Sequence, residues 1–323
     1  MEPWGEKEER SGPGRVRGAT DAELLDAAVQ AAERAAELHR REAGRLDPDG
    51  WHEKATADFV TEVDREAERL IVETLRERFP DHALLAEEGT WFEPRGDPSE
   101  TRSAGSGAPP VRWIIDPLDG TTNWLHGYPE YAVSLAALDA GGLRAALVLN
   151  SATGERFDAV RGGGSRRDGR AIRVSELSDL RLALVGTGFP FKRRELLDTY
   201  LPMLGRVLRA SSGVRRAGSA ALDLCALASG HLDAFWELWL MPWDVAAGAL
   251  IVREAGGTFE PLECGSGRDE AEPAAALGDA VRGAREFLAA CAGGAPPGEP
   301  RAGAYLATNA RLTEALRQTI APG

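Results

Sequence analysis

Cysteine is scarce in this 323-residue chain: Cys225, Cys264 and Cys291 are odd in number, far apart and in no Cys-x-x-Cys spacing. That argues against a disulfide framework and fits a reducing, cytoplasmic setting. The five histidines form no spaced ligand pair, so zinc hydrolysis has no support. Long apolar runs are also missing. A stretch such as Val245 to Val252 falls far short of the roughly 20 residues that span a bilayer, and no membrane partner is expected. Positive charge is in deficit, with 38 Lys and Arg against 51 Asp and Glu for a net charge of −13. A general nucleic-acid binder is therefore not expected. The basic clusters at Arg166-Arg167, Lys192 to Arg194 and Arg215-Arg216 are short and read as solvated faces.

What is present is an ordinary globular composition, 43% apolar, in a chain long enough for two domains. Residues 1–17 put acids before any apolar run and lack the apolar core of a signal peptide, so they read as a disordered tail. Thr20 with Glu23 makes a capping box, and the apolar spacing from Leu24 to Leu38 predicts a helix. A second helix is expected from about Val63 to Phe79, ended by Pro80. Glu93 to Pro110 has the Pro, Gly, Ser and charge content of a loop. Strands are expected at Ala83 to Ala86, Val111 to Ile115, Tyr131 to Leu138, Leu143 to Asn150 and Gly154 to Val160, the last three as an antiparallel meander.

Near Leu182 the texture changes to alternating strand and helix. The division expected is an N-terminal α+β half over 18–180 and a C-terminal α/β half over 181–323. Gly265 to Gly303, rich in Gly, Pro and Ala, reads as an irregular insertion in which Ala280 to Ala292 has helical composition.

The segment Trp113 to Trp124 carries the most chemistry. An apolar strand emerges into Asp116 and Asp119, and then Gly120-Thr121-Thr122 opens a helix. Hard divalent cations need oxygen ligands, and the first amides of a helix suit a phosphate. Taken alone, Asp116 and Asp119 are also what turns and caps use. Other acids recur in matching contexts, however: Asp64 after Asp58 to Val63, Glu87-Glu88 after a short apolar strand, and Asp244 after the Trp-rich Phe235 to Trp243. Each stands at the edge of an apolar element.

Together, Asp58 to Asp64, Leu85 to Glu88, Trp113 to Asn123, His126 to Pro129 and Trp243 to Gly248 resemble, in order, the motifs of the inositol monophosphatase family of metal-dependent sugar phosphatases. The resemblance covers roughly Thr20 to Pro261 and Tyr305 to Leu316. It implies the αβαβα layered sandwich of the inositol monophosphatase and fructose-1,6-bisphosphatase type, with the active site between the two halves. It further implies two or three Mg²⁺ ions: Glu87, Asp116 and the Leu118 carbonyl on one, Asp116, Asp119 and Asp244 on a second, and Glu87 again on a weaker third. Asp64 and Thr121 would activate water with help from Glu87, and the amides of Gly120 and Thr121 would hold phosphate. Gly218, Ser219, Ala220 and Glu237, with Asp119, would contact the substrate. Lys54 stands where the family often has a lysine, and Ala86 replaces a common glycine.

The implied reaction is Mg²⁺-dependent hydrolysis of a small phosphate monoester, inositol 1-phosphate first. Fructose 1,6-bisphosphate, histidinol phosphate, NADP and 3′-phosphoadenosine 5′-phosphate are alternatives. Lithium sensitivity and a homodimer are implied as well, and some bacterial relatives bind the transcription machinery, with or without turnover. A rival reading as a haloacid-dehalogenase-like phosphatase fails on spacing. Its two aspartates stand one residue apart, whereas Pro117 and Leu118 make two.

Overall fold

The computed structural model describes residues 18–45, 52–55, 58–92, 111–262, 272–294 and 300–321. The tail expected over 1–17 and the loop expected over 93–110 lie outside them. Helix α1 (Asp21–Glu42) starts as its capping box predicts. The Thr20 hydroxyl accepts from the Glu23 amide at 3.2 Å, and the Glu23 carboxylate accepts from the Thr20 amide at 2.7 Å. Its buried face is almost all alanine, Ala27, Ala28, Ala31, Ala32, Ala35 and Ala36, which lets α2 (Glu62–Arg78) approach closely. A two-stranded hairpin, β1 (His52–Ala55) and β2 (Asp58–Val60), precedes α2.

The larger sheet contains β3 (Ala83–Ala86), β4 (Trp91–Phe92), β5 (Arg112–Asp119), β6 (Ala132–Asp139), β7 (Gly142–Asn150), β8 (Arg156–Val160), β9 (Gly164–Arg167) and β10 (Arg170–Ile172). Their order across the sheet is β10-β9-β8-β7-β6-β5-β3-β4. From β5 to β10 each neighbour is antiparallel, the expected three-stranded meander extended by β5, β9 and β10, while β3 lies parallel to β5. Alternation along β5 sorts side chains to two cores. Trp113 and Ile115 face α1 and α2, whereas Ile114 faces the other way.

A short helix α3 (Thr121–Leu125) follows β5 directly. The smaller sheet is formed by β11 (Leu184–Thr187), β12 (Gly213–Arg215), β13 (Ala234–Leu240), β14 (Thr258–Pro261) and β15 (Gly303–Thr308), in the order β12-β11-β13-β15-β14. Between the sheets lie α5 (Ala220–Ala228) and α6 (Pro242–Glu254), apolar on nearly every side, packed on Ile114 and Val148 from one sheet and Phe235 and Phe259 from the other. The far face of the smaller sheet packs Val185, Trp236 and Leu306 against α4 (Leu197–Ala210) and α8 (Thr313–Ile320). Five layers result: helices, sheet, helices, sheet, helices. This is the αβαβα sandwich that the motifs implied.

Two features differ from the sequence expectation. Within the segment expected to be an irregular insertion, the helical stretch read over Ala280 to Ala292 is part of a longer, 20-residue helix, α7 (Glu272–Cys291). Its Leu277 and Ala280 enter the outer core while Ala284, Phe287, Leu288 and Cys291 enter the central one, so apolar spacing outweighs the Gly and Pro that flank it. The second half is also not uniformly parallel. β15 inserts between β13 and β14 and runs antiparallel to both. Among the described residues no helix is long and apolar enough to cross a membrane.

Candidate active site

Pairing of β3 with β5 sets the first two acids side by side. Ala86 is opposite Ile115, and the Glu87 amide donates to the Ile115 carbonyl at 3.2 Å, so Glu87 leaves β3 next to Asp116. Pro117 lacks an amide hydrogen, and the β5–β6 register shifts between Asp116 and Asp119. The irregularity is held from within: the Leu118 amide donates to Asp116 Oδ1 at 3.0 Å. Gly120 then turns the chain into α3 with φ of +89°, and a Cβ there would stand 2.7 Å from the Glu130 carbonyl oxygen. Only glycine meets both demands.

Asp64 comes from α2, where it completes a second capping box. Its Oδ2 accepts from the Thr61 amide and hydroxyl, which leaves Oδ1 for the Thr121 hydroxyl at 3.0 Å. The same hydroxyl is 3.0 Å from the Leu118 carbonyl. Asp64 and Thr121 thus meet across 57 residues of sequence. Burial raises the Asp64 pKa, and the bonds from Thr61 and Thr121 pull against that shift.

Asp244 sits in the first turn of α6, and its carboxylate accepts from the Met241 amide at 2.6 Å. Asp119 reaches the other way, to the start of α5, where Oδ2 accepts from the Ser219 hydroxyl at 2.6 Å and the Ala221 amide at 2.8 Å. The charges converge on Asp116, which is 1% exposed. Its pKa is pushed well above the ordinary value, first by burial and then by the negative charges of Glu87, Asp119 and Asp244. Burial raises Asp119 too, opposed by its bonds to Ser219 and Ala221 and by the positive charge of Lys192.

Among the described residues no three carboxylate, imidazole or thiol groups are gathered around one point as they would be around an ion. Asp119 and Asp244 each turn one oxygen to a protein donor. The donor set nevertheless fits a hard divalent cation. Four carboxylates, all oxygen donors, interact in one region, with the buried Asp116 facing the charges of the partly buried Glu87, Asp119 and Asp244.

Ser219 caps α5, while Gly218 and Ala220 flank it, so the segment expected to read the substrate is tied to Asp119. Glu237 on β13 has its pKa raised well above normal by burial and by Asp223 and Asp244, with Arg216 opposing. A Cβ on Gly188 would collide with its carboxylate at 2.1–2.2 Å, so Gly188 makes the space that Glu237 occupies.

Several contributors escape sequence reasoning. Lys192, read as part of a solvated cluster, places its charge near Asp119. The Asn123 amide donates to the Glu130 and Ala217 carbonyls at 2.7 and 3.0 Å, stitching α3 to the loop before Ser219. Glu68, 5% exposed, faces the Glu87 turn. A signal for Glu68 existed, because a glutamate beside Ala67 and Ile71 interrupts the buried face of α2. The Lys54 side chain lies outside the described residues.

A layered α/β sandwich with converging carboxylates at the ends of its strands and helices defines a class. Comparison with known proteins agrees, since the model of the inositol monophosphatase family matches residues 20–292. The chain belongs to that family. Among its relatives, the Nus factor SuhB of Pseudomonas aeruginosa is 48% identical over 236 residues, covering 72% of this chain and 83% of the relative. The crystal structure of the extragenic suppressor protein suhB from Bartonella henselae aligns with a TM-score of 0.71 and 33% identity, over 92% of this chain and 98% of that one. The inositol monophosphatase from Anabaena aligns with a TM-score of 0.68 and 30% identity, over 92% and 94% of the two chains.

Proposed function

We propose that the chain is a Mg²⁺-dependent phosphomonoesterase whose leading substrate is inositol 1-phosphate. The observation that carries this reading is the meeting of two constellations: the Asp64–Thr121 pair at 3.0 Å, and Asp116 ringed by the charges of Glu87, Asp119 and Asp244. Glu87, Asp116 and the Leu118 carbonyl would hold one Mg²⁺, Asp116, Asp119 and Asp244 a second, and Glu87 a weaker third. Bound there, the ions supply Lewis-acid stabilisation of charge on the phosphoryl group and make water a competent nucleophile at neutral pH.

The chain's own groups do the rest. Thr121 Oγ1, bonded to Asp64 Oδ1, offers a lone pair to one proton of the attacking water. As that proton arrives, the hydroxyl passes its own to Asp64, whose burial favours accepting it. The first amides of α3, following Gly120, lack intrahelical acceptors and face developing phosphate charge. On the leaving-group side, Gly218, Ser219 and Ala220 supply backbone contacts and Glu237 accepts from ring hydroxyls. Its carboxylate and the positive Arg216 favour a polyhydroxylated leaving group.

The test is Mg²⁺-dependent phosphate release across inositol 1-phosphate, fructose 1,6-bisphosphate, histidinol phosphate, NADP and 3′-phosphoadenosine 5′-phosphate. The first should be preferred, and no release from any of them at saturating Mg²⁺ would refute the reading. The family resemblance extends it to lithium inhibition and a homodimer, which a lithium titration and light scattering check. A second reading is favoured by the name Nus factor carried by relatives 48% and 40% identical: a role with the transcription machinery beside or instead of turnover. An RNA polymerase pull-down run alongside the release assay separates the two.

A further inference from the structure

We infer that Glu68 is a positioning residue that fixes the turn presenting Glu87, and so sets how tightly the site takes a divalent cation. This rests on the metal-binding role proposed above for Glu87. Glu68 lies on α2 four residues after Asp64, hence on the same helix face one turn later. Its buried carboxylate receives three donors: the Glu88 amide on Oε2 at 2.7 Å, and the Thr90 amide and hydroxyl on Oε1 at 3.0 and 2.5 Å. The turn is also closed by its own backbone, with the Ala86 amide donating to the Thr90 carbonyl at 3.0 Å.

Glu87 is therefore pinned on both sides. Its own amide is held by Ile115 of β5, and the next amide is held by Glu68. Between these anchors the side chain is directed at Asp116, with which it shares a hydrogen bond. One helix thus carries two tasks, orienting Thr121 through Asp64 and aiming Glu87 through Glu68. A carboxylate suits the second task because both of its oxygens accept. A glutamine offers one acceptor oxygen and would turn its amide hydrogens toward an N–H, which sacrifices either the Glu88 bond or the Thr90 pair.

The experiment is a calorimetric Mg²⁺ titration of the full chain without substrate, comparing the unmodified protein, Glu68→Gln and Thr90→Val. Loss of such outer partners weakens metal binding by about tenfold or more, so Glu68→Gln should show that loss. Thr90→Val, which removes one of the three bonds, should show a smaller one. Phosphate release by Glu68→Gln should return toward the unmodified rate as Mg²⁺ is raised, with the half-saturating Mg²⁺ shifted by the same factor as the affinity. A merely structural Glu68 would instead lower the metal-free melting temperature and the maximal rate and leave Mg²⁺ affinity unmoved; that result overturns the inference. Binding by both variants equal to the unmodified protein overturns it while leaving the metal reading intact. If the unmodified chain takes no Mg²⁺, both fall together.

Discussion

Replacing Asp116 with asparagine should stabilise the protein in the absence of metal while destroying its response to metal. The buried carboxylate stands against the charges of Glu87, Asp119 and Asp244. An uncompensated buried charge costs about 3–5 kcal/mol at the upper end. Neighbouring carboxylates can relax by taking up a proton, so about 1–3 kcal/mol is the recoverable share. Asparagine keeps the Oδ1 that accepts from the Leu118 amide, so the local backbone bond survives.

For a chain of 323 residues each kcal/mol is worth about 1.5 °C. The metal-free variant should therefore melt roughly 1.5–4.5 °C above the unmodified chain. Added Mg²⁺ should raise the melting temperature of the unmodified chain and leave Asp116→Asn unchanged, so the two curves cross. Differential scanning calorimetry in chelator and in excess Mg²⁺ reads this directly. The reasoning is refuted if Asp116→Asn melts lower in chelator, or if Mg²⁺ raises both proteins equally.

Three further outcomes are expected. Thr121→Val keeps the shape and removes the hydroxyl that bonds Asp64, so turnover should fall about 10²–10⁴-fold while the Mg²⁺-induced rise in melting temperature stays; Thr121→Ser should retain most of the rate. Burial and the neighbouring Arg40 push the His39 pKa down to about 3, so it stays neutral in the fold but protonates near 6.5 when unfolded. Stability from this group is full above pH 6.5 and is lost as pH falls toward 3, at up to about 1.4 kcal/mol per pH unit; denaturant titrations at pH 6.5, 5.5 and 4.5 should show that slope, relative to His39→Leu. Glu237→Gln removes a buried charge beside Asp223 and Asp244, so it should reorder KM values across the substrate panel more than it lowers kcat on the best substrate.

Much of the architecture was legible because its signals are local. The Thr20–Glu23 box starts α1 where it predicts, and Asp116-Pro117 marks where regular pairing in β5 breaks. The acids were legible as a set because each ends an apolar element, a pattern that survives without knowledge of the fold. Asp64 is readable as a site residue, and its second role as the cap partner of Thr61 is spelled out locally in Thr61-Glu62-Val63-Asp64.

What the sequence could not disclose depends on long-range pairing. Nothing near residue 303 announces that β15 inserts between β13 and β14, because a strand's direction and neighbours are decided by the sheet that receives it. The bond from Ser219 to Asp119 spans 100 residues, and that from Glu88 to Glu68 spans 20. Of the helix over Glu272–Cys291 only the part from Ala280 was legible, since glycine and proline around its first turns dominate a window average there.

The bonds from Ser219 and Ala221 to Asp119 limit how this scaffold can diversify. On the proposed reading, an acid that would hold metal is oriented by the cap of a helix that would meet the leaving group. A descendant adapting to a new alcohol cannot freely rewrite that cap without disturbing the reaction itself. On that reading, drift in selectivity should instead accumulate around Glu237, at positions such as Gly188, where a single added methyl group would displace the Glu237 carboxylate and spare the acids proposed to hold metal.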